Sequence, residues 1–249
     1  MIYLKTPTEI ELIRRSCQIV VEAFRVVEEI LRPGIKTKQI DREVERFILS
    51  RGARPAFKGY RGYPASTCIS VDEEVVHGIP GSRILEEGQI VSVDIGVERA
   101  GYFGDGAKTF PIGAISEEKR RLIEVTRESL YRGIEKARVG NRLFDISNAI
   151  QTYVEAHGFS VVRELAGHGV GRDLWEDPQI PNFGPARKGP RLKRGMVLAI
   201  EPMVNLGSHE VKILEDDWTV VTVDGSPSAH FEHTVAITNQ GPEILTLGL

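Results

Sequence analysis

The sequence predicts a mixed α/β fold in which two α-α-β-β halves share one mainly antiparallel sheet. Pairs of segments with apolar residues at helical spacing occur twice, and β-branched runs typical of strands follow each pair. The second set repeats the first at a nearly constant offset, 106 residues from Gly34 to Gly140 and 107 residues from Gly88 to Gly195. A constant offset through helix, turn and strand indicates an internal duplication. We therefore expect a single domain, 1–249, with halves at roughly 8–112 and 115–238.

Four helices are predicted from this periodicity and from their end signals. The first has Thr8 as its predicted N-cap, acidic Glu9 and Glu11 in its first turn, and a stop at Pro33-Gly34. The second predicted helix stops at Gly52. The third and fourth predicted helices follow Ser116 and repeat the arrangement of the first two. The predicted helices span 8–31, 37–50, 116–137 and 143–157.

Strands are predicted where short β-branched or alternating runs lie between turn residues. The predicted strands span 66–71, 90–97, 102–110, 196–204 and 230–237. The proline-rich segment 178–190 is predicted to be an ordered surface loop within the second half.

Composition limits the classes of protein to which the chain can belong. A hydrophobic content of 41% and a charged content of 27% are typical of a globular protein with a sizeable core. A net charge of −3 gives no general reason to expect specific nucleic-acid binding. Cys17 and Cys68 are too few for a disulfide framework, so we expect reduced thiols in a cytoplasmic protein. The charged N-terminus and the lack of a long apolar run predict neither export nor membrane insertion.

Two aspartates lie within a predicted β-hairpin. Asp94 and Asp105 are equidistant from the middle of the loop 98–101, so antiparallel pairing is expected to set them opposite each other on one face. Two like charges within apolar strands require a counter-charge, which one or two cations would supply.

The second half contains three further candidate ligands. Glu201 ends an apolar strand, Glu232 lies in an alternating strand, and His168 is flanked by glycines. Taken alone, a glutamate in a strand could be a salt-bridge partner, and the glycine-flanked His168 could be a hydrogen-bonded loop residue. Together with Asp94 and Asp105, they indicate a metal pair, and the oxygen-rich set with one nitrogen favours manganese, iron(II) or cobalt over structural zinc. The predicted reaction class is metal-assisted hydrolysis.

A series of motifs resembles the type I methionine aminopeptidases along essentially the whole chain. The matching segments are Gly-Tyr-Arg-Gly-Tyr-Pro at 59–64, Val-Val-His-Gly-Ile-Pro at 75–80, Val-Ser-Val-Asp-Ile-Gly at 91–96, Gly-Asp-Gly-Ala at 104–107, Gly-His-Gly-Val-Gly-Arg at 167–172, Glu-Asp-Pro-Gln-Ile-Pro-Asn at 176–182, Ala-Ile-Glu-Pro-Met at 199–203, Asp-Trp-Thr-Val at 217–220 and Phe-Glu-His-Thr at 231–234.

The resemblance implies the curved pita-bread fold of this M24 metallopeptidase family and a role for each ligand. It implies that Asp94 chelates one metal, that Asp105 and Glu232 bridge two metals, and that His168 and Glu201 bind the other. The implied ions are manganese, iron(II) or cobalt, with zinc or nickel as further options. The implied reaction removes the initiator methionine, preferably before a small second residue, by attack of a bridging water on the first peptide carbonyl. Ribosome association and a monomeric state are also implied.

The resemblance further assigns substrate contacts. His77 corresponds to a histidine that supports the tetrahedral intermediate, and Glu201 to the residue that handles the proton. Residues implied to line the methionine pocket are Phe57, Tyr60, Tyr63 and Trp218, although plain core aromatics are an equal interpretation of Phe57 and the two tyrosines.

Trp175 departs from the family pattern, which has a histidine at this position. An indole offers one donor and no titratable nitrogen, and its bulk narrows the cleft on the side of the second substrate residue. We therefore expect an active enzyme with a reduced or altered peptide preference. The alternatives are a Pro-directed aminopeptidase or dipeptidase of the same fold and a low-activity or metal-free binding homologue.

Overall fold

The computed structural model describes residues 1–249 and contains four α-helices. The α1 helix begins one residue earlier than predicted, because Thr6 rather than Thr8 is its N-cap. The Thr6 hydroxyl accepts from the Glu9 backbone N–H at 3.3 Å, and the Glu9 carboxylate accepts from the Thr6 N–H at 2.9 Å. Pro7 occupies the first helical position, where its missing N–H costs nothing. The helices are α1 (Pro7–Ile30), α2 (Thr37–Ser50), α3 (Glu117–Lys136) and α4 (Leu143–Ala156), with a short 3₁₀ helix at Tyr60–Gly62.

Fifteen strands accompany the helices. They are β1 (Arg54–Pro55), β2 (Cys68–Val71), β3 (Glu74–Val76), β4 (Ile90–Arg99), β5 (Tyr102–Pro111), β6 (Ser160–Val161), β7 (Ala166–Gly169), β8 (Glu176–Pro181), β9 (Val197–Ile200), β10 (Met203–Asn205), β11 (Val211–Ile213), β12 (Val220–Thr222), β13 (Ser228–His230), β14 (Glu232–Thr238) and β15 (Gly241–Ile244).

The predicted mixed α/β class with a curled antiparallel sheet is confirmed. The main sheet has nine strands in the order β1-β4-β5-β14-β9-β7-β8, with β15 added to β14 and β2 added to β4. Two three-stranded sheets, β13-β10-β6 and β11-β12-β3, complete the fold. None of the helices is long and apolar enough to cross a bilayer.

Each helix pair packs its apolar stripe against the sheet. Ile40 and Val44 of α2 are fully buried with Phe24 of α1 in one core, and Ile146 and Ile150 of α4 are fully buried in the other. These residues recur at helical spacing, which is why the sequence predicted the helices well. The division into duplicated halves within one domain stays a prediction.

The β4–β5 hairpin differs from the prediction in its turn and its register. Ala100 and Gly101 form a two-residue connection, both with positive φ, at 55° and 78°. Such a turn matches the twist of the flanking strands better than the expected four-residue loop. Asp94 therefore pairs with Ala107, and the two aspartates are diagonal neighbours on one face rather than directly opposite.

Three other strand boundaries were predicted wrongly. Each lies at a proline or at a residue where a strand is interrupted. Residues 178–181, expected in a loop, belong to β8, an edge strand in which proline is tolerated. The expected strand 196–204 is interrupted at Glu201-Pro202, since Pro202 has no N–H for the ladder. The expected strand 230–237 is divided between β13 and β14 at Phe231.

Candidate metal centre and substrate chamber

Five strands that are neighbours in the main sheet each position one of the predicted ligands. In the order β4, β5, β14, β9 and β7, the ligands are Asp94, Asp105, Glu232, Glu201 just beyond its strand, and His168. The set comes from distant parts of the chain, and the sheet order brings it together.

The register sorts these side chains into two adjacent rows on one face. Asp94 pairs with Ala107, which pairs with Glu232 on its other side. The same register, continued by one residue past β9, sets Glu201 beside Glu232. In the second row, Gly96 pairs with Asp105, and His168 pairs with Ala199. Small residues at the remaining positions leave the floor of the site open for the carboxylates.

His168 presents an unprotonated nitrogen to the carboxylates. Its Nδ1–H donates to the Gly169 carbonyl at 2.9 Å, which leaves the lone pair on Nε2. Nε2 lies 3.4 Å from Glu201 Oε1 and 3.8 Å from Asp105 Oδ2. One donor atom each from Asp105, His168 and Glu232 lies within 4.8 Å of the others.

The glycines around His168 allow the close packing that holds it in place. A Cβ at Gly167 would collide with the Ala199 carbonyl oxygen, and one at Gly169 with the Asp177 carbonyl oxygen. The Gly-His-Gly sequence is therefore required by the approach of β9 and β8 to β7.

The four carboxylates carry more negative charge than their surroundings compensate. Burial raises the pKa of Asp94 and of Glu201 to about 7. Burial, followed by repulsion from the other carboxylates, raises the pKa of Asp105 and Glu232 well above the usual range. Asp94 Oδ1 and Glu232 Oε1 are buried without a hydrogen-bond partner. An oxygen-rich donor set with one imidazole and orphaned buried oxygens fits divalent cations.

An aromatic chamber lies over the carboxylates. Tyr60 and Trp175 meet edge to face with ring centroids 4.6 Å apart, as do Tyr63 and Trp218 at 5.1 Å. The free volume is about 30 Å³, room for about one water molecule. Every predicted site residue lines this chamber, so Phe57, Tyr60, Tyr63, His77, Trp175 and Trp218 share it with all five predicted ligands.

His77 lies between the two indoles in a strained backbone conformation. Its φ is 60°, and its ring centroid is 6.4 Å from Trp175 and 6.3 Å from Trp218. Burial, reinforced by the charge of His230, lowers the pKa of His77 to about 4. A neutral imidazole, which carries one N–H donor, is therefore the form present near neutral pH.

Sequence reasoning missed two residues of the site. His230 Nε2 lies 3.6 Å from Glu201 Oε2 and has no hydrogen bond. Its position two residues before Glu232 is a signal that strand alternation could have used. Cys68 lines the chamber and pairs with Asp94 across β2 and β4. No local pattern pointed to Cys68, which is free and buried like Cys17.

The model of metallopeptidase family M24 matches residues 11–239. The chain belongs to metallopeptidase family M24. This M24 metallopeptidase is 59% identical over 246 residues to methionine aminopeptidase 1 of Bacillus subtilis, with 99% of each chain covered. Divalent-metal dependence is a property of the family, and Asp105, His168 and Glu232 form a candidate site for such an ion in this chain.

Solved structures show the same fold. The methionine aminopeptidase of Thermotoga maritima superposes with a TM-score of 0.97 at 48% identity, covering 99% of both chains. The prolidase of Pyrococcus furiosus gives a TM-score of 0.81 at 26% identity, and this M24 metallopeptidase covers 65% of its length. The expected pita-bread architecture of the methionine aminopeptidases and prolidases is thus confirmed.

Proposed function

We propose that the chain removes the N-terminal methionine from nascent proteins, preferably when the second residue is small. The observation that carries the proposal is the cluster of buried, uncompensated carboxylates at the floor of a chamber with aromatic walls. The high identity to methionine aminopeptidase 1 of Bacillus subtilis along the whole chain supports methionine as the side chain that the chamber takes.

The proposed ligand roles are those that the family resemblance implies, and the order of the strands in the main sheet supports them. Asp94 would hold one divalent ion, His168 and Glu201 a second, with Asp105 and Glu232 shared between them. Manganese, iron(II) or cobalt suits this donor set, with zinc and nickel as further options. When bound, such ions lower the pKa of a water ligand and polarise a carbonyl oxygen.

The remaining steps belong to side chains of the chain itself. The neutral His77 imidazole would donate a hydrogen bond to the oxygen of the first peptide carbonyl as charge develops there. Glu201 would accept a proton from the attacking water and return it to the departing amine, the role that the family resemblance implies. The aromatic walls would hold the thioether side chain and exclude bulk water, apart from the water that attacks.

The proposal extends to the cellular setting. A nascent-chain substrate favours a cytoplasmic monomer that works beside the ribosome, and the free Cys17 and Cys68 suit a reducing compartment.

Hydrolysis of Met-Ala-Ser and of X-Pro dipeptides by metal-stripped protein resupplied with manganese, iron(II) or cobalt tests the proposal. We expect free methionine from Met-Ala-Ser and little turnover of the X-Pro peptides. Faster turnover of the X-Pro peptides would instead favour the Pro-directed alternative, which is supported by the fold similarity to a prolidase. Absence of both activities with every ion, together with no metal uptake, would favour a binding homologue.

A further inference from the structure

A groove continues outward from the substrate chamber. Its free volume is about 640 Å³, and it shares four lining residues with the chamber, His77, His168, Trp175 and Glu201. The chamber itself has room for about one water molecule. A peptide whose first side chain enters the chamber therefore has this groove for the residues that follow.

Arg61 lies where the groove meets the chamber wall. Its side chain is exposed, and its guanidinium carbon is 5.5 Å from the ring centroid of Tyr60 and 5.8 Å from that of Trp175. The guanidinium forms no ion pair or hydrogen bond with the rest of the protein. Contact with two aromatic rings holds the cation in place and leaves its N–H donors free for a ligand.

The backbone around Arg61 is in an unusual conformation. Arg61 has a φ of 47° and a ψ of 27°, within the short 3₁₀ helix, and Gly59 and Gly62 have positive φ values of 84° and 90°. The Tyr63 N–H donates to the Tyr60 carbonyl at 2.9 Å and closes this turn. A left-handed conformation is uncommon for arginine, and strain of this kind is concentrated at sites that bind ligands.

The other charged side chains along the groove beyond the chamber have partners within the protein. Arg163 pairs with Glu155 at 3.9 Å, and the Glu164 carboxylate accepts the Arg163 backbone N–H at 3.2 Å. Glu176 pairs with Lys5, and Asp177 pairs with the Met1 ammonium. Arg61 is therefore the cation of the groove that is free to attract a charged ligand.

The distances place Arg61 beside the third residue of a substrate. The Trp175 ring centroid lies 6.1 Å from that of His168, and the Arg61 guanidinium lies 5.8 Å from the same indole. An extended peptide advances about 3.3 Å per residue, so its third residue lies about 7 Å beyond the methionine. The small second residue then passes Trp175, and the third side chain comes within reach of Arg61.

We propose that Arg61 determines specificity at the third residue of the substrate by favouring an aspartate or glutamate there. The proposal rests on the proposed function, because it requires a peptide with its methionine in the chamber. A guanidinium donates two parallel N–H bonds to a carboxylate, whereas it repels a lysine or arginine. Since Arg61 contacts a side chain that takes no part in the reaction, the preference should appear in KM and leave kcat unchanged.

Amidated tetrapeptides test the proposal, because a free terminal carboxylate would itself be attracted to Arg61. The substrates are the amides of Met-Ala-Glu-Ser, Met-Ala-Ser-Ser and Met-Ala-Lys-Ser, which differ only at the third residue. The variants Arg61→Asn and Arg61→Asp remove or reverse the charge with residue types that tolerate a left-handed backbone. The control, Arg25→Glu, changes the net charge as Arg61→Asp does, at an exposed cation of α1 that lines neither the groove nor the chamber.

We expect the manganese-loaded parent and the control to have a KM about threefold or more lower for the glutamate peptide than for the lysine peptide. This ratio should shrink at high salt. Arg61→Asn should lose the preference, and Arg61→Asp should reverse it. Equal KM values in the parent, or a preference that survives in Arg61→Asp, would overturn the proposal.

Stopped-flow tryptophan emission separates this outcome from that of the proposed function. Mixing each peptide with the manganese-loaded protein reports binding next to Trp175 before any turnover, and we expect the tightest Kd for the glutamate peptide. If none of the three peptides is hydrolysed with any ion, the proposed function is contradicted, and the order of the Kd values still supports or overturns the role of Arg61. Hydrolysis of all three with equal KM and Kd values would overturn the role of Arg61 alone.

Discussion

Nε2 of His168 lies 3.4 Å from Oε1 of Glu201. Burial lowers the pKa of His168 and favours the neutral ring, in which Nδ1–H is donated to the Gly169 carbonyl and Nε2 carries no proton. Two acceptors at this distance, with Asp105 Oδ2 also 3.8 Å from the same nitrogen, require a proton or a cation between them. The stability of the metal-free protein should therefore depend on pH.

The pH dependence has a defined sign. Asp94 and Glu201 have folded-state pKa values raised by burial to about 7, above those of the unfolded chain. The stabilisation that these two carboxyl groups give the metal-free protein is fully present below the pKa that they have in the unfolded chain, about 4. It is lost as the pH rises through about 7. The buried histidines, with pKa values lowered to about 4 in His77 and His233, oppose this trend below about pH 6.5. We therefore expect calorimetry of the metal-free protein to give a Tm that falls from about pH 6.5 to about pH 8, and added manganese to raise Tm more at the higher pH. Asp94→Asn/Glu201→Gln should flatten the profile, and a rising Tm in the metal-free parent over this range would refute this account.

Trp175→His should raise kcat/KM on Met-Ala peptides. The indole packs edge to face on Tyr60 and lies 6.1 Å from the His168 ring, so it occupies the side of the chamber next to the proposed metal ligands. A positioned titratable group contributes about 10² to 10⁴ in rate, so we expect a gain of at least about tenfold. Steady-state kinetics of parent, Trp175→His and Trp175→Phe separate chemistry from size. An unchanged or lower value for the histidine variant would rule this interpretation out.

Tryptophan fluorescence should report methionine binding. Both tryptophans of the chain, Trp175 and Trp218, line the chamber. The free volume of about 30 Å³ is too small for a thioether side chain, so the walls must move apart on binding. We expect a saturable change in emission when L-methionine is added to the manganese-loaded protein, reduced in Trp175→Phe and in Trp218→Phe. L-Glutamate should have no effect, and a flat titration with methionine would contradict a rearrangement of the walls.

Lys5→Met should destabilise the loop that carries Trp175. The Lys5 ammonium pairs with Glu176, and each side chain is only 5% exposed. Oε1 of Glu176 also accepts the backbone N–H of Arg172 at 2.8 Å. Removing the cation leaves a buried carboxylate uncompensated, which lowers the free energy of unfolding by about 3–5 kcal/mol.

Urea unfolding measures this cost. Lys5→Met/Glu176→Gln should recover part of the loss, and the exposed Lys38→Met should change stability by about 0.5 kcal/mol or less. A loss below about 1 kcal/mol in Lys5→Met would show that the pair is not coupled to the fold as the burial implies.

Local patterns predicted the helices and pointed to the four candidate carboxylate ligands, because helices are signalled by periodicity and these ligands by charged groups in apolar strands. The hairpin register was missed because it depends on a positive φ at Ala100, which a sequence rarely signals in a residue other than glycine. The β8 strand was missed because Pro178 and Pro181 suggest a loop, and only the edge position in the sheet makes them compatible with a strand.

Cys68 lines the chamber only because its strand, β2, pairs with β4 in the folded protein. Its strand joins β4 opposite Asp94, and nothing local distinguishes Cys68 from the other buried thiol, Cys17. The pocket aromatics were found through the family resemblance, because an aromatic residue of the core and one of a chamber wall have the same local pattern.

The most direct test of the account is the position of manganese in a crystal, measured by anomalous scattering. We predict two peaks about 3.5–4 Å apart, with Asp105 and Glu232 in contact with both. Peaks only at the protein surface, or no density between these two carboxylates at saturating manganese, would contradict the claim that strands from both parts of the chain hold a shared pair of cations.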